Sequence, residues 1–499
     1  MKPLSCLAVD LGAASGRVIT GTLTGRKLQL NEIHRFSNRG VHLGQHLYWD
    51  ILRLWTEVKG GLWQARNQSA CDFGSIGLDS WGVDFGLLDA AGSLIANPSH
   101  YRDNCTDGMM DAVFDVVSAE EVFSKTGNQL MQINSLYQLF SMAKSGSPAL
   151  SIAKAFLNIP DLFNYFLSGE RTSEFSIAST TQCYDPLEQT WAIDLLSSLG
   201  IPTHIFREIL PSGTVLGPLQ NSVAAELGLN NLPVVAVAGH DTASAVAAIP
   251  VQEEDYIYLS SGTWSLMGVE LDAPNISPAV MEAEITNEGG YGGTTRFLRN
   301  IVGLWILQEC LREWSLTGVE YDYDTMNQMA GSAPAFGPLL NPGDKRFLSP
   351  GNMVQKIQSF CRQTGQEVPV EKGVIVRCIL ESLAMEYRWV ADQIDRLTGK
   401  EHPVVYIIGG GSRNQLLNQF TANATDKKVF AGLEEATAAG NILVQAIAIG
   451  EIASLTEGRE IIRKSFPMTP YEPKDTADWE NAYVRYLELR NLAPHSATE

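Results

Sequence analysis

Basic charge is scarce in this chain. Its 499 residues carry 36 Lys and Arg against 56 Asp and Glu, a formal net charge of −20. Such a surface argues against non-specific binding of nucleic acid or an anionic membrane, which needs basic patches. It leaves room for a nucleotide, which turn amides, a metal ion and a few basic residues can hold locally. Cysteine is sparse as well: seven are scattered without a Cys-x-x-Cys pair. That argues against a zinc framework and fits a reduced chain. The sequence leaves open whether Cys361 and Cys378 pair. No run of about 18 apolar residues exists, so no membrane span is expected. The apolar stretch before Asp10 is too short for a signal peptide, and the expected location is the cytoplasm. The eight histidines offer His240 no convincing partners for a metal-dependent phosphohydrolase.

What is present is a soluble, folded composition, 45% hydrophobic, in a chain long enough for two or more domains with full cores. Cys6 to Asp10 reads as a buried strand, Leu11 to Arg17 as a small-residue turn, and Val18 to Leu23 as the returning strand. The design recurs at mid-chain, with Tyr256–Ser260, then Ser261-Gly262-Thr263, then Trp264–Val269. A tight hairpin of exposed amides without bulky side chains can wrap phosphate. Two of them suggest related halves closing on one nucleotide, with Asp10 placed to hold a metal ion near its phosphates.

The intervening pattern is α/β. Leu28 to Phe36 reads as a third strand, and Asp50 to Arg66 has helical apolar spacing. Strands follow at 74–78 and 234–237. A helical insertion lies between them, with Ser118 and Glu121 as a capping box and Gly127 as the stop. The second half repeats the plan. A helix is expected from Asn300 to about Trp314 and a long one from Gly373 to Leu397, then a strand at 404–408. The expected divisions are 1–249, 255–450 and a helical extension with a loose tail at 451–499, joined by a linker at 250–254.

Three constellations carry chemistry. Gly409-Gly410-Gly411 lies between a buried strand and a helix, where backbone can approach a planar ring or a phosphate. Gly239-His240-Asp241-Thr242 also sits at a strand end entering a helix, where ligands gather in α/β sheets. A carboxylate there can take a proton from an attacking hydroxyl, or simply cap the helix. Trp81-Gly82-Val83-Asp84 at a third strand end suits a sugar, with an aromatic edge for C–H faces and carboxylates for hydroxyls. It equally reads as core plus turn.

These stretches resemble the actin-like ATPase superfamily, and the Gly239-His240-Asp241 segment resembles the catalytic loop of its FGGY carbohydrate-kinase branch. Ser80–Phe85, Tyr101-Arg102-Asp103, Leu259–Glu270 and Asn287–Cys310 extend the resemblance over about residues 5–445. It implies two ribonuclease-H-like domains, each a mixed five-stranded sheet flanked by helices, with a ligand cleft between them. It also implies MgATP and a ketose acceptor. Carried over, Asp241 is the general base. Ala13, Ala14, Ser15, Gly16, Arg17 and Thr263 hold phosphates, and Gln308 and Gly410 lie near the nucleotide. Asp10 supports Mg²⁺ through water. Trp81, Gly82, His240, Asp241, Thr242 and Asn300 meet the sugar. Glu174 departs from the pattern, since many relatives have Asp there, and its role stays open. Oligomeric state is unspecified beyond a monomer or small homo-oligomer.

Two other readings remain at this point. L-fuculokinase or another ketose kinase of the family would differ only in pocket residues. An ATP-switched chaperone or actin-like assembly protein would have no sugar hydroxyl to deprotonate, so Gly239-His240-Asp241 and the Trp81 segment favour a kinase.

Overall fold

The computed structural model describes residues 3–69, 72–253, 255–316, 318 and 321–492. Glu254 of the expected linker and 493–499 of the expected tail lie outside the described residues. Two compact units divide the chain. One comprises Met1–Pro250, Glu270–Phe297 and Glu435–Phe466; the other comprises Val251–Val269, Leu298–Glu434 and Pro467–Glu499.

The first unit is built on a six-stranded mixed sheet in the order Thr214–Pro218, Pro233–Ala236, Ile76–Ser80, Leu4–Leu11, Ser15–Thr24, Lys27–Ser37. Leu4–Leu11 is central. It pairs antiparallel with Ser15–Thr24 and parallel with Ile76–Ser80. Its Cys6-to-Leu11 run is buried throughout, as a strand covered on both faces requires. Lys27–Ser37 is an edge strand and correspondingly polar and exposed. Helix Ile51–Gln68 starts where Asp50 accepts from the Arg53 amide at 3.1 Å and buries Leu54, Val58 and Leu62 against the core. Behind the sheet, the small-residue helix Asp241–Ala247 packs on Ala436–Ala448. The approach is close enough that a Cβ on Gly440 would lie 1.7 Å from the Ser244 carbonyl oxygen.

The other sheet has seven strands, in the order Thr286–Gly289, Thr295–Val302, Trp264–Leu271, Ile257–Ser261, Val404–Ile408, Lys428–Ala431, Thr469–Tyr471. Helix Lys372–Thr398 ends at Gly399, whose φ of 69° closes it in the left-handed region.

Two expectations are corrected. Neither sheet stops at five strands. Thr214–Pro218 adds to the first through a bulge between Val215 and Gly217, and Thr469–Tyr471 adds to the second with Pro470 on its edge. Both carry a bulge or a proline that an alternating apolar pattern does not reveal, and Pro is tolerated at an edge. Asn300 does not begin a helix either. It lies in strand Thr295–Val302, prolonged by β-branched Ile301 and Val302, and the helix begins only at Trp305, after Gly303. Among the described residues no helix is long and apolar enough to cross a membrane. The six described cysteines are free thiols, Cys361 and Cys378 included.

Candidate active site

In the first unit, parallel pairing sets Asp10 beside Asp79 in register, and Ser80 bridges to His240 across the next strand end. The carboxyl ends of three strands therefore bring Asp10, Asp79 and the Gly239–Thr242 loop together. Arg17 sits opposite Asp10 on the return strand and bridges Asp10 and Glu435 as an ion pair with each. These two carboxylates raise its pKa despite burial, which acts the other way. The hairpin turn is tied by the Gly12 amide to the Ser15 carbonyl at 3.0 Å. Asn38 braces it, its amide reaching the Ala14 carbonyl at 3.0 Å and its side chain the Gly12 carbonyl at 2.8 Å. Ala14 at the tip is exposed, with Ala13 and Ser15 half-buried and Gly16 buried against Phe36.

Negative charge is concentrated here. Burial pushes Asp79 well above the usual carboxylate range, with Asp10 and Asp241 adding to the shift and Asn441 opposing it by donating to Asp79 Oδ2 at 2.5 Å. Asp79 Oδ1 is buried and finds no partner among the described residues. Asp241 is also raised, chiefly by burial; His240 opposes the shift and Asp10 adds to it. No three such side chains among the described residues are grouped to ligate a metal directly. This donor set instead fits a hard cation that keeps its water shell.

Asp241 opens helix Asp241–Ala247 behind the N-cap His240, and Thr242 Oγ1 donates to Asp241 Oδ1 at 3.1 Å. Glu174 holds the loop in place. Its Oε2 accepts from the Gly239 amide at 2.9 Å, the Ile177 amide at 3.1 Å and Ser176 Oγ at 2.6 Å. Its Oε1 accepts from the Ser176 amide at 2.9 Å and from Ser212 Oγ. Ser176 Oγ in turn accepts from the His240 amide at 3.2 Å. Here the role left open for Glu174 becomes visible: it fastens the Gly239–Asp241 backbone.

Gly82 faces Thr180 and His240. A Cβ on it would lie 3.2 Å from Thr180 Oγ1 and 3.5 Å from His240 Nε2. The next residue, Val83, has φ of 67°, a costly conformation for a β-branched side chain. It is held by Thr180 Oγ1 accepting its amide at 3.2 Å and by Ser135 donating to its carbonyl. Trp81 is buried in the core against Trp49, ring centroids 4.2 Å apart. Its indole N–H donates inward to Asp84 Oδ2 at 3.0 Å, an atom that also accepts from Trp49 Nε1 at 2.6 Å and the Tyr101 amide at 3.2 Å. Burial pushes Asp84 up to about 7.

In the second unit, Thr263 and Gln308 meet, Thr263 Oγ1 donating to Gln308 Oε1 at 3.0 Å. The hairpin is anchored to the start of helix Trp305–Ser315 by the Leu304 and Trp305 amides, at 3.0 and 3.1 Å from the carbonyls of Gly262 and Thr263. The triple-glycine turn packs on the same hairpin, a Cβ on Gly411 falling 2.1 Å from Ser261 Oγ. Gly410 itself is exposed and open. Asn300 is half-buried on its strand and not on the helix that carries Gln308.

Asp79, Thr180, Glu288, Arg296 and Asn441 were not singled out as site residues from the sequence. The sequence signals were Asp79 at the end of a buried strand, and Glu288 and Arg296 within the Asn287–Cys310 stretch of the resemblance.

Two α/β units, each with a tight hairpin, and a carboxylate at a strand end leave the activity open on geometry alone, and the comparisons supply the family. The family models "FGGY family of carbohydrate kinases, N-terminal domain" and "C-terminal domain" match residues 5–248 and 257–449. The chain belongs to the FGGY family of carbohydrate kinases, and is accordingly a sugar phosphotransferase with ATP as co-substrate. Among curated relatives it is 44% identical over 479 residues to a rhamnulokinase of Bacteroides thetaiotaomicron, covering 96% of this chain and 98% of that one. It is 41% identical over 469 residues to a rhamnulokinase of Oceanobacillus iheyensis, covering 93% and 97%. Among solved structures the fold is similar to a gluconate kinase from Lactobacillus acidophilus, with a TM-score of 0.82, 16% identity and 99% of each chain covered. It is also similar to Plasmodium falciparum glycerol kinase with ADP, with a TM-score of 0.78, 15% identity and 98% of each chain covered.

Proposed function

We propose that this enzyme transfers the γ-phosphate of MgATP to the 1-hydroxyl of L-rhamnulose, giving L-rhamnulose 1-phosphate and ADP in L-rhamnose catabolism. The observation that carries the chemistry is Asp241, a half-buried carboxylate at a strand end, fastened by the Glu174 and Ser176 contacts and facing the side where Gly82, His240 and Thr242 converge. Its raised pKa suits a base that must take a proton from an alcohol near neutral pH. Asp241 accepts the hydroxyl proton as oxygen attacks phosphorus, and the neighbouring groups fix the sugar so that attack is in line.

In this reading the first hairpin, Ala13 to Arg17, and Thr263 cradle phosphates, while Gln308 and Gly410 border the nucleotide. Asn300 joins Gly82, His240 and Thr242 as a sugar contact, and Trp81 backs the Gly82 turn from the core. Asp10 and Asp79 would hold Mg²⁺ through water, and the ion would supply charge neutralisation for the phosphates. Arg17 orients Asp10 through their ion pair. We place the reaction in the cytoplasm.

The choice of L-rhamnulose rests on the relatives at 44% and 41% identity. A coupled ADP-release assay over a panel of ketoses tests it. L-Rhamnulose should be the preferred acceptor, and markedly higher efficiency with L-fuculose or D-xylulose would replace it with a sibling ketose kinase.

A further inference from the structure

His240 is held from behind by two charged residues. Arg296 is fully buried and donates from Nη2 to His240 Nδ1 at 2.9 Å. The same nitrogen lies 3.3 Å from Glu288 Oε2. These neighbours make opposite demands, because a carboxylate invites a proton onto Nδ1 and a guanidinium, which has only protons to give, forbids one. Arg296 is the nearer partner. It also donates from Nη2 to Glu288 at 3.1 Å, so the carboxylate is already matched in charge, and from Nε to the Gly289 carbonyl at 2.8 Å. A proton on Nδ1 would set two donors against each other at hydrogen-bond distance. The donor set therefore assigns the ring proton to Nε2.

Nε2 points the other way, toward the reacting side. It lies 3.5 Å from Asp241 Oδ1, which is long for a direct hydrogen bond. It borders the space that Gly82 leaves open by lacking a Cβ. An N–H aimed into a gap beside the base matches a sugar oxygen bound there.

We propose that Arg296, braced by Glu288, is a positioning residue that fixes His240 as its Nε2–H tautomer and thereby presents a hydrogen-bond donor to an oxygen of the acceptor sugar next to the attacking hydroxyl. This rests on the kinase reading of the Asp241 site. Arg296 itself acts only through His240.

The direct test is NMR of the intact enzyme labelled with ¹⁵N-histidine, with the His240 signals assigned by their loss in His240→Gln. The proposal expects the proton on Nε2 and an unprotonated Nδ1; a proton on Nδ1 overturns it. The second test is the Arg296→Met/Glu288→Met variant, which removes both charges so that neither is left buried and unpaired. Loss of one directed hydrogen bond predicts that kcat/KM for the ketose falls about 10- to 100-fold. KM for ATP should stay unchanged, and a proton should become detectable on Nδ1. Wild-type kcat/KM in the folded variant overturns the proposal, and if the variant does not fold, the wild-type spectrum decides. Should the wild-type enzyme turn over no ketose, the kinase reading fails, while the spectrum still judges the tautomer separately.

Discussion

Replacing Glu174 by Gln tests whether the base is held in place by a buried carboxylate rather than by its own helix. The two oxygens of Glu174 accept three backbone amides, from Ser176, Ile177 and Gly239, and two hydroxyls, from Ser176 and Ser212. A glutamine keeps one oxygen. If that oxygen takes the Oε2 position it retains Gly239, Ile177 and the Ser176 hydroxyl. The new NH₂ group then faces the Ser176 amide, and the Ser212 hydroxyl can turn to accept from it. One buried N–H is left without an acceptor, a cost of about 1–3 kcal/mol. Part of this is regained because the carboxylate was itself penalised by burial, which raises its pKa. The net expectation is about 1–2 kcal/mol of lost stability, read as a fall of a few degrees in melting temperature. The lost anchor also loosens the Ser176-to-His240 contact, so kcat should drop by about tenfold while KM for ATP holds. Calorimetry and steady-state kinetics on the same preparation check both halves. Unchanged melting temperature and kcat would refute the idea that Glu174 positions the base.

Burial raises Asp241 above the ordinary carboxylate value, and only its ionised form accepts a proton. The acid limb of the kcat/KM profile should therefore fall off at a pH above the ordinary Asp range of about 4, and a limb at the ordinary value would count against Asp241 as the titrating base. Asp84, raised to about 7, binds a proton in the folded state that the unfolded chain releases near pH 4. Its contribution to stability thus falls as pH rises through that window and is constant above it, and urea titrations should show this slope flattened in Asp84→Asn. Asp84→Ala strands two indole N–H groups, one amide and Gln138, and should cost about 3–5 kcal/mol, seen as a lower urea midpoint. Gly440→Ala forces a methyl onto the Ser244 carbonyl; overpacking of about 1–3 kcal/mol should lower the melting temperature and, by shifting helix Asp241–Ala247, lower kcat.

Local signals carried much of this architecture. The strand at Cys6–Asp10, the cap at Ser118, the stop at Gly127 and the long helix ending before Gly399 are all written in apolar period and punctuation residues, and the structure has them. Asn300 misled because apolar residues at 301, 304 and 305 fit a helical face, while tertiary pairing drew 295–302 into a strand. The site divides in the same way. Asp241, His240 and Gly82 were readable because each stands in a strand-end motif. The roles of Glu288 and Arg296 were not, because their work is done on a histidine far away in sequence. Asp79 and Asn441 meet across 362 positions of chain, a pairing that no local pattern encodes.

The central claim is that Asp241 takes a proton from the 1-hydroxyl of L-rhamnulose as phosphate arrives. Incubating the wild-type enzyme and Asp241→Asn with L-rhamnulose and MgATP, and following the phosphorus NMR spectrum with proton coupling, tests it most directly. The account predicts a phosphomonoester coupled to the two C1 protons in the wild-type reaction, formed about 10²–10⁴ times more slowly by the folded, ATP-binding variant. A phosphate on another oxygen, no sugar phosphate at all, or near-wild-type turnover by Asp241→Asn would contradict it.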